Sequence, residues 1–368
     1  MKSIIGLIFT LIIINNAYSI DYFNTYRWNR ANELEQNGKI DKGPWYEWWY
    51  YKIVLPNTNE SFFFVYGVVN PWDHEQEMKG TRAYIGMGDF QKRIQPEEKF
   101  DVSEFMSSYQ EPYVAIKDNF ATDKYISGNL KDEDGNNYEW QIDIKKNWTF
   151  NATGWATGRM ITNIEWYPAQ ADATCSGRII SHDKTYNFTD VPCYQDRNWG
   201  KSFPKWWTWI VSNHFENYPE TALAIGGGRP IFRGGVDPIE NVTIGFKHKG
   251  KEYSFRPNDL NIVRIDINFG KWEASGINGN TKIEVSAFAP KESFMDLIFM
   301  TPDGKEFHDY ETLTGKLTVK LYKRKHLFRK WELVDTVISN HAGIEYGSHD
   351  EYDKEKLFNS NNKIFSTF

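Results

Sequence analysis

Alternation between apolar and polar residues is the feature of this sequence that most restricts its fold. The alternation is clear in the runs Tyr138–Ile144 and Thr281–Ala287. Turn-forming segments rich in Asp, Asn and Gly separate such runs, for example Asp132–Asn137 and Thr301–Gly304. A period of two places successive side chains on opposite faces of a β-strand. Apart from a short helix candidate near Val102–Ser107, the pattern predicts an all-β chain.

The size and composition of the chain favour closed β-architecture. Many short antiparallel strands need protected edges, which predicts sandwiches or barrels. The 368 residues are enough for two ordinary domains. Aromatic residues make up 17% of the chain, which is more than a simple core requires. Many rings therefore have to pack against one another or against a ligand.

One segment, Cys193–Trp209, combines a short polar cluster with four tryptophans. Asp196, Arg197 and Asn198 stand together just before most of these indoles. A carboxylate, a guanidinium and a carboxamide are costly to bury beside aromatic rings unless each finds a hydrogen-bond partner. The segment therefore predicts the wall of a pocket that is aromatic over most of its area and polar at one end.

A second aromatic block, Gly43–Lys52, contains the single carboxylate Glu47 and is followed by the apolar run Glu60–Pro71. Phe188–Pro192 leads into the polar and aromatic segment at Cys193–Trp209, and Ala224–Gly228 comes after it. Taken in this order, the blocks resemble the tocopherol cyclase family. The resemblance continues in three later blocks, Lys271–Ala274, Lys282–Ala287 and Gly315–Val319.

The resemblance implies a fold. Members of that family, and the related hydroxyneurosporene synthase and lipocalin-like Diels-Alderase proteins, pair two lipocalin-like β-domains. We therefore expect two lipocalin-like antiparallel β-barrel or sandwich domains. A stretch of Pro, Ala and Asp from Pro168 to Thr174 marks the expected boundary. The expected domains are residues 20–170 and 171–368, preceded by a signal peptide at residues 1–19.

The resemblance also implies a reaction. Tocopherol cyclases close a chromanol ring on a prenylated hydroquinone: a proton is delivered to the alkene of the tail, and the phenol oxygen captures the tertiary cation. This chemistry needs a general acid that desolvation keeps protonated, ring faces beside the positive charge, and the exclusion of water. It implies no metal and no cofactor, and the eight histidines show no metal-ligand spacing.

A small set of residues is expected to carry this chemistry. Asp196 stands where the plant enzymes have a glutamate, and Glu47 lies in the matching Glu-x-Trp-Tyr block. We expect these carboxyl groups to be the acid and its partner. Asn198 would orient the phenol, Arg197 would hold a carboxylate ionised, and Trp199 would shape the cavity. The alternative is that the neighbouring Asp and Arg form a structural ion pair at a barrel corner.

Further residues of the two aromatic blocks are expected to contact the substrate. Strand alternation should divide their side chains between the pocket and the core. The expected substrate-binding residues are Trp45, Tyr46, Trp48, Trp49, Tyr50, Tyr194, Arg197, Trp199, Trp206, Trp207, Trp209 and Asn213.

The N-terminus predicts entry into a secretory pathway. Met1–Ser3 is a short basic start, Ile4–Ile14 is apolar, and Ala17–Ser19 fits the small-x-small cleavage rule. The apolar run is short for a membrane span, although an uncleaved anchor is the alternative. N-glycosylation sequons agree with a secreted or lumenal protein. These sequons begin at Asn59, Asn147, Asn151, Asn187 and Asn241.

The chain has two cysteines, Cys175 and Cys193. In an oxidising compartment they could pair and close a loop of a length for which the chain-entropy model gives roughly 3 kcal/mol. Two buried free thiols are the alternative.

Charge and motifs restrict the expected partners. The net charge is −6, and the one strongly basic run, Lys320–Lys330, is more often typical of a solvated hairpin tip than of a binding surface. Gly226–Gly228 lacks the spacing of a dinucleotide fingerprint and predicts a tight turn or a close backbone approach. We expect a hydrophobic small molecule as ligand, no nucleic acid, and membrane contact that is possible but not required.

Two functions fit these observations. The first is a cofactor-independent cyclase acting on a prenylated hydroquinone or a similar isoprenoid. The second is a secreted lipocalin-like carrier, which needs an apolar cavity but no protonated carboxyl group inside it. The surroundings of Asp196 and Glu47 distinguish the two. Because plant members are plastid proteins and this chain has a secretory start, the fold transfers more safely than the substrate.

Overall fold

The computed structural model describes residues 20–28, 42–236 and 240–349. These residues form twenty-one β-strands, and the only helices among them are single 3-10 turns. Every strand pairing is antiparallel. The predicted all-β fold is confirmed. None of the helices in the described ranges has the length and apolar character that a membrane span requires. The 3-10 turns are Tyr22–Asn24, Val102–Glu104, Gly154–Ala156, Pro257–Asp259 and Lys291–Ser293.

Eleven strands form the first sheet, in the order β4-β3-β2-β1-β11-β10-β9-β8-β7-β6-β5. Their bounds are β1 (Tyr46–Leu55), β2 (Glu60–Val69), β3 (Arg82–Asp89), β4 (Glu97–Phe100), β5 (Phe105–Ser107), β6 (Tyr113–Ile116), β7 (Asn119–Thr122), β8 (Tyr125–Lys131), β9 (Asn137–Trp148), β10 (Ile164–Ser181) and β11 (Lys184–Gly200). Strands β3 and β4 approach β8 across the concave side, so the sheet curls like a half-barrel.

The second sheet has the order β15-β14-β13-β12-β21-β20-β18-β17-β16, and β19 also pairs with β20. Its strands are β12 (Trp206–Ser212), β13 (Ala222–Gly228), β14 (Asn241–His248), β15 (Lys251–Phe255), β16 (Ile262–Asn268), β17 (Lys271–Asn278), β18 (Thr281–Phe288), β19 (Met295–Met300), β20 (Glu306–Lys323) and β21 (Glu332–Ser348). Contacts of β14 with β16 and of β15 with β17 bring its two edges together, which nearly closes a barrel.

The chain passes from the first sheet to the second between Gly200 and Trp206. The domain boundary expected near residue 170 lies inside β10, which continues to Ser181. The pairing of β10 with β11 shifts register between Tyr167 and Ala173. A local β-bulge of this kind adds residues without ending the strand, and it accounts for the interrupted sequence pattern there.

Three large apolar cores and one small cluster, formed by Trp45, Tyr167, Ala169 and Trp199, are buried among the described residues. One core fills the concave side of the first sheet, a second fills the barrel of the second sheet, and a third lies between them. In the third core, the Trp48 and Trp207 ring centroids are 6.1 Å apart, and those of Tyr50 and Trp209 are 5.8 Å apart. The two aromatic blocks of the sequence therefore meet at this interface.

The central strands of the first sheet are buried on both faces. Every residue of β2 is buried, and β1 has only one residue that is partly exposed. In β9, by contrast, buried and exposed residues alternate along much of the strand. One face of β1 contributes to the core of its own sheet, and the other face contributes to the core between the sheets.

Cys175 on β10 and Cys193 on β11 form a disulfide bond, as predicted. Both residues are buried in the core of the first sheet. The bond joins positions separated by 18 residues and ties the end of β11 that precedes Asp196 to its neighbouring strand.

The sequons occupy different environments. Asn59, Asn147 and Asn187 are exposed, whereas Asn151 and Asn241 are partly buried. The predicted signal peptide at residues 1–19 lies outside the described residues. The basic run Lys320–Lys330 spans the end of β20 and the tip of its hairpin with β21.

Removing the disulfide should destabilise the fold. Replacing Cys175 and Cys193 by alanine together frees the unfolded chain from a loop whose closure is worth about 3 kcal/mol. We expect the free energy of unfolding, measured by guanidinium denaturation, to fall by about that amount. An unchanged unfolding midpoint would contradict this expectation.

Candidate active site

A cavity of about 190 Å³ lies between the two sheets. Its walls combine six aromatic rings and the backbone of three glycines with ten polar side chains. The lining residues are Trp48, Tyr50, Ala152, Thr153, Thr162, Ile164, Trp166, Asp196, Asn198, Pro204, Trp207, Thr208, Trp209, Gly226, Gly227, Gly228, Pro230, Asn241, Thr243, Phe299, Asp309, Glu311 and Glu345.

Asp196 is the carboxyl group that the first sheet presents to this cavity. Its Oδ2 accepts hydrogen bonds from Trp166 Nε1 at 2.7 Å and from the Tyr194 hydroxyl at 2.8 Å. Trp209 Nε1 donates in turn to the Tyr194 hydroxyl at 3.2 Å. Burial raises the pKa of Asp196 from 3.8 to about 7, although these hydrogen bonds oppose the shift. The carboxyl group is therefore held in one orientation and is partly protonated near neutral pH.

The second sheet presents three more carboxyl groups, those of Asp309, Glu311 and Glu345. Their oxygens lie within 4.8 Å of one another. Glu311 accepts a short hydrogen bond from the Tyr50 hydroxyl, and Asp309 accepts one from Trp207 Nε1 at 2.9 Å. Burial raises the pKa of all three groups, and their mutual repulsion raises those of Glu311 and Glu345 further.

These three carboxyl groups are the residues that could hold a cation. A metal ligand must be deprotonated, however, and burial here favours the protonated form. Close carboxyl groups of this kind titrate as a coupled set. Together with Asp196 they place four carboxyl groups with raised pKa values around one cavity.

The cavity face of the second sheet is ordered in rows. Gly226 leaves space for an indole, because a Cβ at this position would lie 2.6 Å from the Trp166 ring. This is the close approach that the triple glycine predicted, and it occurs within a strand. Two rows of paired residues cross the strands β14, β13, β12, β21 and β20 in that order. The first row is Thr243, Gly226, Trp209, Glu345 and Glu311. The second row is Asn241, Gly228, Trp207, Gly347 and Asp309.

Six of the expected site residues line the cavity. They are Trp48, Tyr50, Asp196, Asn198, Trp207 and Trp209. Tyr194 lies directly behind Asp196, to which it donates a hydrogen bond. Tyr46 stacks on Trp48 with ring centroids 4.7 Å apart and supports the cavity wall.

Glu47, Arg197 and Trp199 point to the opposite face of the first sheet. Alternation explains this placement, because Trp48 and Asp196 already occupy the cavity face of β1 and β11. Arg197 forms a fully buried salt bridge with Glu47. Its guanidinium lies 4.6 Å from the Trp49 ring centroid and 4.9 Å from that of Trp199. The geometry thus pairs Arg197 with Glu47 and not with Asp196.

The Glu47–Arg197 pair fixes the segment at residues 20–28. Glu47 accepts hydrogen bonds from the backbone N–H groups of Arg27 and Trp28 and, at 2.9 Å, from Trp45 Nε1. Arg197 donates to the carbonyl of Phe23 at 3.1 Å. Burial raises the pKa of Glu47, and Arg197 opposes that shift.

Four further expected substrate contacts also lie away from the cavity. Trp45 binds Glu47, and Trp49 stacks under Arg197. Trp206 packs in the core of the second sheet. Asn213 donates hydrogen bonds to the carbonyls of Ala173 and Cys193 at 3.0 and 2.9 Å, so it joins the two sheets.

Sequence reasoning missed the three carboxyl groups of the second sheet and Trp166. A signal was available, because Asp309 and Glu311 flank Tyr310 in one strand and Glu345 stands between Ile344 and Tyr346 in another. Buried acidic residues in such strands need a partner or a function.

The fold and the cavity define a class of protein: an all-β chain whose two curled sheets enclose an aromatic cavity containing buried acidic groups. Residues 43–348 match the tocopherol cyclase-like family. The match covers most of the chain, and the chain therefore belongs to this family. It is an enzyme of the cyclase type.

Relatives with known names agree with the family. The maize (Zea mays) protein "Tocopherol cyclase, chloroplastic" is 24% identical over 359 residues, covering 83% of this chain and 75% of its own. The rice (Oryza sativa subsp. japonica) protein "Probable tocopherol cyclase, chloroplastic" is 23% identical over 362 residues with the same coverage. The crystal structure of CghA is 10% identical with a TM-score of 0.48, covering 84% of this chain and 90% of its own.

The Glu47–Arg197 pair should matter for stability. Arg197→Met leaves the Glu47 carboxylate buried without its partner, so we expect the free energy of unfolding to fall by about 3–5 kcal/mol.

Glu47→Gln should leave the cavity intact, and we expect the folded variant to turn over substrate at close to the wild-type rate. Denaturant unfolding and steady-state kinetics measure both effects. Glu47→Gln also leaves Arg197 without its partner, so its kinetics are measured where the variant is fully folded. A large loss of kcat under those conditions would place Glu47 in the chemistry instead.

Proposed function

We propose that this protein catalyses the cofactor-independent cyclisation of a prenylated hydroquinone or a closely similar isoprenoid phenol. One observation carries the proposal: a buried, hydrogen-bonded Asp196 carboxyl group with its pKa raised to about 7 faces an aromatic cavity. A general acid works best when its pKa lies near the working pH. Family membership supports the reaction type.

In the proposed reaction, Asp196 is the proton donor. Trp166 and Tyr194 both donate to Oδ2, so Oδ1 is the oxygen that carries the transferable proton. That proton forms a C–H bond with the less substituted alkene carbon, and the tertiary carbon becomes a cation. The phenol oxygen then forms the C–O bond and releases its own proton. The product is an isomer of the substrate, because one proton is added and one is lost.

The released proton needs an acceptor. Asp309, Glu311 and Glu345 line the same cavity, and their oxygens lie within 4.8 Å of one another. Asp309, whose pKa burial raises to about 7, is partly ionised near neutral pH and can take the phenol proton. Loss of that proton to solvent then balances the reprotonation of Asp196 from solvent. Asn198, on the cavity face of β11, is placed to orient the reacting phenol.

The tryptophans of the cavity wall supply the two remaining requirements of the reaction, which are stabilisation of the cation and exclusion of water. Rings of Trp48, Trp166, Trp207 and Trp209 surround the cavity, and their π-faces can stabilise the tertiary cation. Their bulk also excludes water, which would otherwise capture the cation as an alcohol.

The proposed compartment is the secretory pathway. The predicted signal sequence and sequons support it, and the Cys175–Cys193 disulfide is compatible with an oxidising compartment. The named plant relatives are chloroplastic, so we propose that this chain acts on a different prenylated phenol, one available to secreted or lumenal proteins.

Asp196→Asn tests the acid. The amide keeps the size and much of the hydrogen bonding of the carboxyl group but cannot donate the proton. We expect kcat on a prenylated hydroquinone to fall by roughly 10² to 10⁴-fold while binding is largely kept. Single-turnover kinetics with product analysis by mass spectrometry provide the measurement.

Asp190→Asn is the matched control, because Asp190 lies on the same strand and is exposed. We expect this variant to behave as wild type. Equal turnover by wild type and Asp196→Asn would remove Asp196 as the acid. If wild type binds a panel of prenylated quinols but turns none of them over, the protein is a carrier.

The pH dependence follows from the raised pKa. The acid is active when protonated, so kcat/KM should be constant at low pH and should fall above about pH 7.

The same raised pKa affects stability. The folded-state pKa lies above the usual 3.8, so ionisation of Asp196 disfavours the fold, and the free energy of unfolding should decline as pH rises from about 4 to about 7. Kinetics and denaturant unfolding between pH 5 and 9 check both trends. An Asp196→Asn protein with the same stability slope as wild type would contradict the second.

A further inference from the structure

Two polar groups of the cavity wall have no hydrogen-bond partner among the described residues. They are Oδ1 of Asn241 and the hydroxyl of Thr243, and both atoms are shielded from solvent. Thr243 is only 7% exposed. Buried polar atoms are nearly always paired in native proteins, so an unpaired pair in a cavity points to a ligand or a water that completes it.

Both side chains belong to β14 and share one face of it. Val242 and Ile244 point instead into the core of the second sheet, as alternation requires. Thr243 pairs with Gly226 and Asn241 pairs with Gly228, so no side chain on β13 separates these polar groups from the cavity floor.

This polar pair lies on the side of the cavity opposite the acidic cluster. Gly226 and Trp209 stand between Thr243 and Glu345 in the same row of paired strands. With neighbouring strands about 4.8 Å apart, the row places Thr243 and Glu345 roughly 14 Å from each other at the backbone. The Trp166 indole covers Gly226 in this row, so an aromatic ring with a polar substituent at each end reaches both polar regions by lying against that indole.

We propose that Asn241 and Thr243 bind the non-reacting hydroxyl of the substrate, the one para to the phenol oxygen that closes the ring. This inference rests on the proposed function and makes it more specific. Oδ1 of Asn241 accepts a hydrogen bond from that hydroxyl, and the Thr243 hydroxyl donates one to its oxygen. A hydroquinone satisfies both groups, whereas a simple prenylated phenol leaves both unpaired.

The assignment gives Asn241 a role other than that of a glycan acceptor. A glycan on this side chain would have to occupy the wall of the cavity. The test therefore uses protein made in a host that does not attach N-glycans, because changing Asn241 or Thr243 also removes the sequon.

Binding of the ring-closed product tests the subsite without turnover, because the chromanol keeps the non-reacting hydroxyl. The probes are a prenyl-derived chromanol and the matching chroman without that hydroxyl, and tryptophan fluorescence reports the dissociation constants. We expect wild type to prefer the chromanol by about three- to tenfold, the worth of one or two hydrogen bonds. Thr243→Val and Asn241→Leu should each lose most of this preference without weakening the binding of the chroman. Thr318→Val, on β20 and away from the cavity, is the control and should retain it.

The outcomes separate this inference from the proposed function. The subsite would be overturned if wild type and both variants preferred the chromanol over the chroman by the same factor. It would also be overturned if the variants bound both ligands more weakly by the same factor. Turnover of prenylated quinols without any preference for the hydroxyl in binding would overturn the subsite but leave the reaction standing. A preference that depends on Thr243 and Asn241 in a protein without turnover would support the subsite and remove the cyclase.

Discussion

The two-sided burial of β1 and of the Cys193–Gly200 half of β11 is the constraint on which the rest of this structure depends. These strands lie at the centre of the first sheet, with the concave core on one face and the second sheet on the other. Neighbouring residues on one strand therefore enter different environments. Asp196 reaches an aromatic cavity, while Arg197 lies in a charged pair that holds the N-terminal segment. One strand therefore supplies both the proposed proton donor and the ion pair that holds residues 20–28.

Burial between two sheets also explains the electrostatics of the cavity. A carboxyl group on one face of an open sheet would be hydrated and ionised. Here the second sheet covers Asp196, and the first sheet covers Asp309 and Glu311 fully and Glu345 in part. Desolvation opposes ionisation of all four groups, and indole or phenol donors orient Asp196, Asp309 and Glu311. The site is thus a property of the docked pair of sheets.

A part of the site can be predicted from the sequence when its residues are neighbours along the chain. It cannot be predicted when its residues meet only in the folded protein. The contiguous segment around Asp196 and Asn198 is visible because polar and aromatic residues are adjacent in the chain. Alternation groups Glu47 with Arg197, yet it does not say which group faces a cavity, because both faces of their strands are buried. The acidic cluster could not be assembled from sequence, since Glu345 meets Asp309 and Glu311 only through the pairing of two long strands.

The position of β21 has a consequence for how the protein is made. This strand, the last that the structure describes, lies between β12 and β20 in the middle of the second sheet and carries Glu345. The other twenty described strands emerge from the ribosome before it, so the second barrel keeps an open seam until β21 inserts. A chain truncated before this strand would expose two unpaired edges and would lack part of the acidic cluster. Completion of the acidic cluster and sealing of the barrel therefore depend on the insertion of the same strand.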